Sequence, residues 1–300
     1  MSALETLATK LGARADVRRD EPLWKHTTFG VGGPADVYAI VRDSEALRAA
    51  ARLARDLQVP WFVLGSGSNI VVADGGIRGL VIDNRANQEE ALGPTKFRLG
   101  SGVSFAAFAR KACRKGIGGL TWAVGIPGTL GGAVVYNAGA YGGCLADVLM
   151  RARLATGDAD RWFDAEELGL VYRGSSLRER PGGVVLEAEV ALEPAPVEEL
   201  MARVAEFDRR RLTAQPRGRN AGSMFKNPPE HPAWKLIDAV GLRGARRGDA
   251  GISDRHSNFF VNHGSARAED VNWLVEEAER RVREQFGIGL EREVAFVGAW

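Results

Sequence analysis

The chain has 300 residues, of which 45% are apolar and 26% charged, which is enough for two or three packed units rather than one small module. Its formal net charge of +2 is too small to predict nucleic-acid binding, although arginines cluster at Arg209–Arg211 and Arg243–Arg247. The two cysteines, Cys113 and Cys144, form no CxxC pair, so the sequence predicts no disulfide framework and no cysteine metal site.

The sequence carries no signal for a membrane or for secretion. No apolar stretch approaches the roughly 18 residues that a membrane span needs. Glu5 and Lys10 interrupt the segment in which a signal peptide requires an apolar core. We therefore expect a cytoplasmic protein that binds neither nucleic acid nor a membrane.

The first part of the chain alternates helix and strand signals. Asp43 predicts the start of a helix that runs through Leu57, and Pro60 prevents its continuation. Short buried strands are predicted at Trp61–Leu64 and at Gly79–Asp83. This pattern is typical of an α/β or α+β domain.

The middle of the chain contains two predicted boundaries. Residues 84–95 are polar and predict a seam between subdomains, after which a helix is expected over Ser104–Lys115. A strand over Val184–Leu192 ends at the proline-containing segment Glu193–Pro196, where we place the main domain boundary. The helix expected after it has an apolar face made of Val197, Leu200, Met201, Val204 and Phe207.

The last hundred residues predict one long helix with a strand on each side. The helix is expected over Ala268–Phe286, with Gly287 as its stop and strands at Ser257–Val261 and Val294–Val297. Its predicted inner face consists of Val271, Leu274, Val275, Ala278 and Val282.

A first glycine-rich segment, Gly65–Asn69, follows the strand Trp61–Leu64. It reads Gly-Ser-Gly-Ser-Asn and offers consecutive backbone N–H groups, two hydroxyls and an amide, which suit an anion. It lacks the third glycine of a dinucleotide fingerprint, and the chain has no Gly-Lys pair for a P-loop. A tight structural turn is the alternative explanation.

A second glycine-rich segment, Gly125–Gly143, is longer and nearly uncharged. It allows an extended planar or diphosphate ligand to lie against bare backbone, with Thr129 and Asn137 as polar contacts. The alternative is a glycine-rich bend between packed elements. Neither segment contains a histidine or cysteine, and Cys144 lies just beyond the second, so covalent attachment of a cofactor is not expected.

Hydrolytic and metal chemistry are not supported. No serine lies in a GxSxG motif, and the four histidines form no HExxH motif. Arg173, Ser223 and Glu293 are polar residues that can act in catalysis, but each by itself is better explained structurally: the arginine as a surface ion pair, the serine as a turn or cap, and the glutamate at a solvated strand edge.

These segments in this order resemble the UDP-N-acetylenolpyruvoylglucosamine reductases, the MurB family of peptidoglycan synthesis, over nearly the whole chain. The matching stretches are Thr28–Ala35, Leu64–Asn69, Gly125–Gly142, Tyr172–Arg173, Ala221–Pro228, Ser253–Phe259 and Glu291–Val294. The resemblance is to the shorter subtype, which lacks an extra tyrosine loop. It implies an α+β fold in which a p-cresol-methylhydroxylase-type FAD-binding domain of two subdomains, 1–84 and 85–196, precedes a substrate-binding domain, 197–300.

The resemblance also implies which residues form the site. Non-covalent FAD is expected at Gly65, Ser66, Gly67, Ser68, Asn69, Gly125, Ile126, Pro127, Gly128, Thr129, Gly131, Gly132, Ala133, Asn137, Gly139, Ala140 and Tyr141. Substrate is expected at Tyr172, Lys226 and Asn227, and no metal is implied.

The implied reaction passes hydride from NADPH to FAD and from FAD to the enolpyruvyl group of UDP-N-acetylglucosamine enolpyruvate. Arg173 suits the enolate-like charge that develops, Glu293 assists if it is protonated, and Ser223 donates the final proton. Glu291 competes with Glu293 for its role, and Gly251 and Ala295 depart from the family pattern. The protein is expected to be a monomer or a weak oligomer.

Two other functions remain open at this point. One is a flavin oxidase of the same fold that acts on another small substrate. The other is a non-catalytic protein that binds a nucleotide sugar. The presence of candidates for all three catalytic roles favours the reductase.

Overall fold

The computed structural model describes residues 2–13, 15–157, 159–178 and 182–300. The chain forms two compact units. Unit 1 consists of the chain up to Arg18, Val37–Gly65 and Gly79–Arg211, and unit 2 of Arg19–Asp36, Ser66–Arg78 and Leu212–Trp300. The predicted division at residues 84/85 and 196/197 stays a prediction.

Seven α-helices lie in the described residues. They are α1 (Ala3–Gly12), α2 (Ser44–Asp56), α3 (Phe105–Arg114), α4 (Leu130–Tyr136), α5 (Val197–Ala214), α6 (Ala233–Ala239) and α7 (Ala268–Phe286). The predicted helix after Asp43 is confirmed as α2, because the Asp43 carboxylate accepts a hydrogen bond from the Ala46 N–H at 2.7 Å and so caps it. The predicted stop of α7 is also confirmed, since Gly287 has a φ of +68° and its N–H donates to the Arg283 carbonyl.

Eighteen strands lie in the described residues, and most are short. They are β1 (Asp16–Pro22), β2 (Pro34–Val41), β3 (Trp61–Leu64), β4 (Ile70–Val72), β5 (Ile77–Asn84), β6 (Glu89–Ala91), β7 (Lys96–Gly100), β8 (Ile117–Gly118), β9 (Gly139–Ala140), β10 (Gly143–Cys144), β11 (Leu149–Thr156), β12 (Ala159–Asp164), β13 (Gly183–Ala191), β14 (Glu193–Pro194), β15 (Arg246–Arg247), β16 (Ala250–Ile252), β17 (Phe260–Asn262) and β18 (Ala295–Val297). The predicted strands in the first two hundred residues are confirmed as β3, β5 and β13.

Two larger sheets form the framework that precedes α5. One has the strand order β1-β2-β5-β3, with β3 parallel to β5. The other is antiparallel, in the order β12-β11-β13-β7-β6. The polar stretch 84–95, predicted as a seam, contributes the edge strand β6 to this second sheet. Helices α3 and α4 bury apolar side chains in the same core as the second sheet, including those of Phe105, Leu130 and Val134. The start of α4 is thereby held by core packing.

Helix α5 corrects one expectation. Its side chains Leu200 and Val204 are buried in the core of unit 1, as predicted. Val197 and Met201 are exposed, so they do not belong to the packed face. Only a narrow strip of α5 packs against the core of unit 1, so the apolar face predicted from periodicity was too wide.

Unit 2 packs α6, α7 and the sheet β15-β16-β17 around one core. The five predicted inner-face residues of α7 are all fully buried, which confirms that face. The strand predicted over Ser257–Val261 is wrong at its start, because β17 begins at Phe260. Ser257 instead donates to the Trp234 carbonyl at 2.9 Å, and the Asn258 side chain bonds both backbone groups of Phe225. These tertiary hydrogen bonds outweigh the local strand preference.

Candidate active site

Gly65, the first residue of the first glycine-rich segment, lies against Thr129 at the start of α4. A Cβ atom on Gly65 would lie 2.5 Å from the Thr129 Oγ1, so only glycine permits this separation. Thr129 directly precedes α4 but makes no side-chain cap of it. The structure therefore brings together two residues from the two glycine-rich segments, both of which belong to unit 1.

The remaining residues of that segment, Ser66–Asn69, belong to unit 2. Gly67 has a φ of +63°, and a Cβ on it would lie 2.2 Å from the His26 carbonyl oxygen. Within the described part of the chain, the N–H groups of Ser66 and Gly67 donate to no acceptor. Two N–H groups without a protein acceptor suit the anion-binding nest that the sequence suggested, but Ser66 is exposed, so a structural turn with its N–H groups in solvent explains them equally well. The predicted contact of this segment with FAD stays a prediction.

The second glycine-rich segment is a short helix with loops on either side, not a simple bend. Within α4, Leu130, Ala133 and Val134 are buried, so the predicted cofactor residue Ala133 lies on the core side. Gly131 lies against Ser101, where a Cβ would come to 3.1 Å. Gly132 differs, because a Cβ on it would meet no described atom within 4 Å. Packing therefore does not account for the glycine at 132.

The side chain of Asn137 connects α4 to the turn that carries Arg173. Asn137 has a φ of +42°, and its amide donates to the Val171 carbonyl at 3.0 Å, while its side-chain oxygen accepts from the Ala146 N–H at 3.0 Å. The Ser175 hydroxyl also donates to the Val135 carbonyl, at 2.7 Å. Asn137 thus positions the turn, and its predicted contact with a cofactor stays a prediction.

Arg173 occupies a strained position in this turn. Its φ is +55°, a left-handed conformation that is unfavourable for a residue with a Cβ. Val171 and Gly174 exchange backbone hydrogen bonds around it, which closes the turn. The guanidinium lies 5.1 Å from the ring centre of Tyr172, whose side chain is 57% exposed. Backbone strain of this kind occurs often at functional sites, so it is consistent with the predicted role of Arg173, which stays a prediction.

In unit 2, Ser223 lies on an extended segment that is held on two sides. Ser223 forms an isolated bridge with Phe259, and the Met224 N–H donates to the Asn258 carbonyl at 2.7 Å. On the other side, the Met224 carbonyl accepts from the Glu293 N–H at 2.8 Å. The backbones of Ser223 and Glu293, seventy positions apart in the chain, are therefore neighbours.

Glu293 is also fixed from the first glycine-rich segment. The Asn69 amide donates to the Glu293 carbonyl at 3.2 Å, and the Asn69 carbonyl accepts from the Ala295 N–H at 3.0 Å. The competitor Glu291 instead forms an ion pair with Lys226 at 2.5 Å, and its side chain is 66% exposed. Glu293 is half-buried, whereas Glu291 is exposed and already paired, and the assignment of the catalytic role to Glu293 stays a prediction.

The two predicted substrate residues of unit 2 both have partners in the chain. Lys226 forms the ion pair with Glu291, and the Asn227 side-chain oxygen accepts from the N–H of Ala233, the first residue of α6, at 3.0 Å. Among the described residues only the Asn227 side-chain oxygen has a hydrogen-bond partner, which leaves its amide nitrogen for a ligand.

Arg211 was not predicted as a site residue, because the sequence shows it only as part of the arginine cluster Arg209–Arg211. Arg211 lies against Gly125, where a Cβ would come within 3.0 Å of its Nη1. The available signal was its spacing: Arg211 follows Phe207 by four residues on α5, and the Phe207 ring stacks on Tyr141 with a centroid distance of 4.3 Å.

The surroundings of the glycine residues indicate whether this part of the chain can bind FAD. FAD needs donors for its diphosphate and an open, uncharged surface for its ring system. Taken separately, the turn at Ser66 and Gly67 in unit 2 presents backbone N–H groups, and the surface at Gly132 in unit 1 is open, so each meets one of these requirements. The residues present therefore fit FAD. Among the described residues no cluster of histidine, cysteine or acidic side chains has the form of a metal site, and no helix is long and apolar enough to cross a membrane.

The fold and these features define a flavoprotein with an FAD-binding domain, and residues 35–162 match the family model of that domain. Residues 214–297 match the model of the C-terminal domain of UDP-N-acetylenolpyruvoylglucosamine reductase. The chain belongs to the UDP-N-acetylenolpyruvoylglucosamine reductase family. Both the predicted family and the predicted α+β fold with an FAD-binding domain are confirmed.

Individual relatives support this assignment over the full length. The enzyme of that name from Syntrophotalea carbinolica is 41% identical, covering 98% of this chain and 99% of its own. Its counterpart from Symbiobacterium thermophilum is 42% identical over 94% and 92% of the two chains. The crystal structure of the enzyme from Thermus caldophilus superimposes with a TM-score of 0.80 at 40% identity, covering 94% of this chain and 98% of that one.

Gly132 allows a direct test of the cofactor surface. Gly132→Ala should leave the free energy of unfolding of the apoprotein unchanged or raise it, because glycine within a helix is about 0.5–1 kcal/mol less favourable than alanine. It should weaken FAD binding, since overfilling a packed interface costs about 1–3 kcal/mol, or roughly a 5- to 150-fold increase in Kd. Urea unfolding and fluorescence titration with FAD measure the two effects.

The matched control is Gly93→Ala. Gly93 also has open space around its Cβ position and lies in unit 1, outside both glycine-rich segments. Its substitution should leave FAD binding unchanged. Equal Kd values for Gly132→Ala and the unsubstituted protein would show that FAD does not approach α4 at this residue.

Proposed function

We propose that this protein reduces UDP-N-acetylglucosamine enolpyruvate to UDP-N-acetylmuramate in peptidoglycan precursor synthesis, with NADPH as the electron donor and non-covalent FAD. The observation that carries the proposal is the hydrogen bond from the Glu293 N–H to the Met224 carbonyl, which places Glu293 beside the segment of Ser223. The relatives named above are reductases of this kind over their whole lengths.

When bound, FAD accepts two electrons from NADPH and passes them to the enolpyruvyl group. Negative charge then develops on the substrate carbon beside its carboxylate. Arg173 supplies a permanent positive charge and a planar set of donors for that charge and for the carboxylate. Its turn is held by Asn137 and Ser175, so the guanidinium is positioned before the substrate arrives.

Ser223 donates the proton that completes the reduction. A serine hydroxyl is a weak acid, so it requires the carbanion-like acceptor that this reaction creates. Glu293 in its protonated form stabilises the developing charge on the carboxylate. The bonds around Met224 and Asn69 keep the backbone under both residues in place.

Substrate binding involves Tyr172, Lys226 and Asn227. The exposed ring of Tyr172 provides a surface for a planar or apolar part of the ligand. Lys226 is a cation that suits the diphosphate, and the Asn227 amide can donate to it. Lys226 and Asn227 lie in the proposed substrate-binding domain, 197–300, whereas Tyr172 belongs to the proposed FAD-binding subdomain 85–196. The protein acts in the cytoplasm, as a monomer or weak oligomer, without a nucleic-acid or membrane partner.

The proposed reaction can be tested in two steps without oxygen. Purified protein loaded with FAD should be yellow, lose its flavin absorbance on addition of NADPH, and recover it when UDP-N-acetylglucosamine enolpyruvate is added. Failure to take up FAD would contradict the proposal. Bleaching by NADPH with recovery only on admission of oxygen would indicate an oxidase that acts on another substrate.

A further inference from the structure

Arg211 lies where the second glycine-rich segment meets α5. A Cβ on Gly125, the first residue of that segment, would lie 3.0 Å from the Arg211 Nη1 and 3.2 Å from its Cδ. The guanidinium therefore rests directly on the backbone at Gly125, and any side chain at that position would displace it.

The other end of the segment meets the same face of α5. The Tyr141 ring stacks on Phe207 with an angle of 8° between the rings, and its hydroxyl lies 3.4 Å from the Phe207 carbonyl. Phe207 and Arg211 are one helical turn apart, so they are neighbours on α5. Arg211 is thus beside both ends of the second glycine-rich segment, which the family resemblance places near the flavin ring.

The charge of Arg211 has no direct counter-ion in the described residues, where it makes neither a hydrogen bond nor an ion pair. Asp208, the carboxylate closest along α5, binds Arg110 instead, with two bonds of 2.9 Å and 2.6 Å. Arg211 is also half-buried. Burial lowers the pKa of Arg211, and the nearby Tyr141 and Asp208 only partly offset this. A partly desolvated cation without a bonded anion is costly unless a ligand supplies negative charge.

The reaction supplies such a charge. Transfer of a hydride to an oxidised flavin adds two electrons and one proton, so the ring gains one negative charge unless a second proton follows. A fixed cation beside the ring favours this anionic reduced form, and the effect is larger where water is partly excluded.

We propose that Arg211 is the cation that stabilises the anionic reduced flavin in this protein, an inference that rests on the proposed function. Arg211 makes the bound FAD a stronger electron acceptor and thereby favours its reduction by NADPH. It acts on the cofactor and takes no part in proton transfer to the substrate, which is assigned to Ser223.

The competing explanation is that Arg211 only packs the end of α5 against Gly125. Charge and shape can be separated by substitution. Arg211→Met keeps the length and apolar stem but removes the charge, whereas Arg211→Lys keeps the charge. Arg210→Met is the matched control, because Arg210 is exposed on the same helix and pairs with Glu206.

The measurement is the midpoint potential of FAD in each purified holoprotein, by spectroscopic titration without substrate. We expect a more negative potential for Arg211→Met, a value near that of the unsubstituted protein for Arg211→Lys, and no change for Arg210→Met. The pH at which the reduced flavin takes up its second proton should rise in Arg211→Met, since the anion has lost its stabilisation.

Each outcome decides a separate question. An unchanged potential in Arg211→Met, or an equal shift in Arg211→Lys, would overturn the role of Arg211. If Arg211→Met does not fold, Arg211→Gln provides the neutral variant, and circular dichroism establishes which variant is folded. If the unsubstituted protein takes up no FAD, the proposed function fails and not the assignment of Arg211 alone.

Discussion

Replacement of Ser223 by alanine should leave the reduction of the flavin by NADPH nearly unchanged and slow the substrate half-reaction by about 10²–10⁴-fold, the usual contribution of a positioned general acid. Ser223 sits on a segment that is held by backbone bonds from Met224 to Asn258 and Glu293, so loss of the hydroxyl removes no bond that maintains this segment. Anaerobic stopped-flow absorbance measures the two half-reactions separately.

Two further variants make this experiment specific. Ser223→Cys retains a group that can donate a proton and should keep part of the rate. Ser265→Ala removes an exposed hydroxyl elsewhere in unit 2 and should affect neither half-reaction. An equal loss in both halves for Ser223→Ala would remove Ser223 from the role of proton donor.

Replacement of Arg173 should also act on the substrate half-reaction. Arg173→Met removes the charge that we propose faces the developing enolate, and we expect a loss of about 10²–10³-fold, as for removal of one donor from an oxyanion site. Arg173→Lys should lose less, because the charge remains while the fork of donors is lost. Single-turnover kinetics with the reduced enzyme measures the effect, and Arg161→Lys, at an exposed arginine of the same unit that pairs with Glu167, is the matched control.

Because its backbone is strained, substitution of Arg173 should also affect the free energy of unfolding. Its φ of +55° costs a residue with a Cβ about 1–2 kcal/mol, while glycine pays about 0.5–1 kcal/mol in chain entropy. Arg173→Gly should therefore leave the free energy of unfolding unchanged or slightly raised, although it should slow the substrate half-reaction at least as much as Arg173→Met. A large loss of stability in this variant would show that Arg173 supports the fold and that its strain has no functional origin.

Much of the secondary structure could be predicted because it depends on local sequence. The apolar spacing in α7 repeats every three to four residues and ends at a glycine, so both its inner face and its end were correct. Asp43 before α2 is a similar local signal. The strand expected from Ser257 failed for the opposite reason, since the side-chain bonds of Asn258 reach Phe225, thirty-three positions away.

In the candidate site, too, some features could be predicted from the local sequence and others depend on contacts between distant segments. Both glycine-rich segments and the three catalytic candidates were evident as residue types in a family order. The choice of Glu293 over Glu291 gains support from the structure alone, where Glu291 is exposed and paired with Lys226. The role of Asn137 in holding the turn of Arg173 also depends on a bond between segments that are thirty-four positions apart.

The sequence by itself determined the family, the FAD-binding fold class, the long helices and the residue types of the site, because periodicity, glycine content and motif order are properties of the linear chain. Tertiary structure alone decided that Gly65 meets Thr129, that Met224 joins Ser223 to Glu293, and that Arg211 rather than its two neighbours lies on Gly125. These contacts arise from hydrogen bonds and packing between distant segments. No local pattern encodes them, since each depends on how a partner far along the chain is placed.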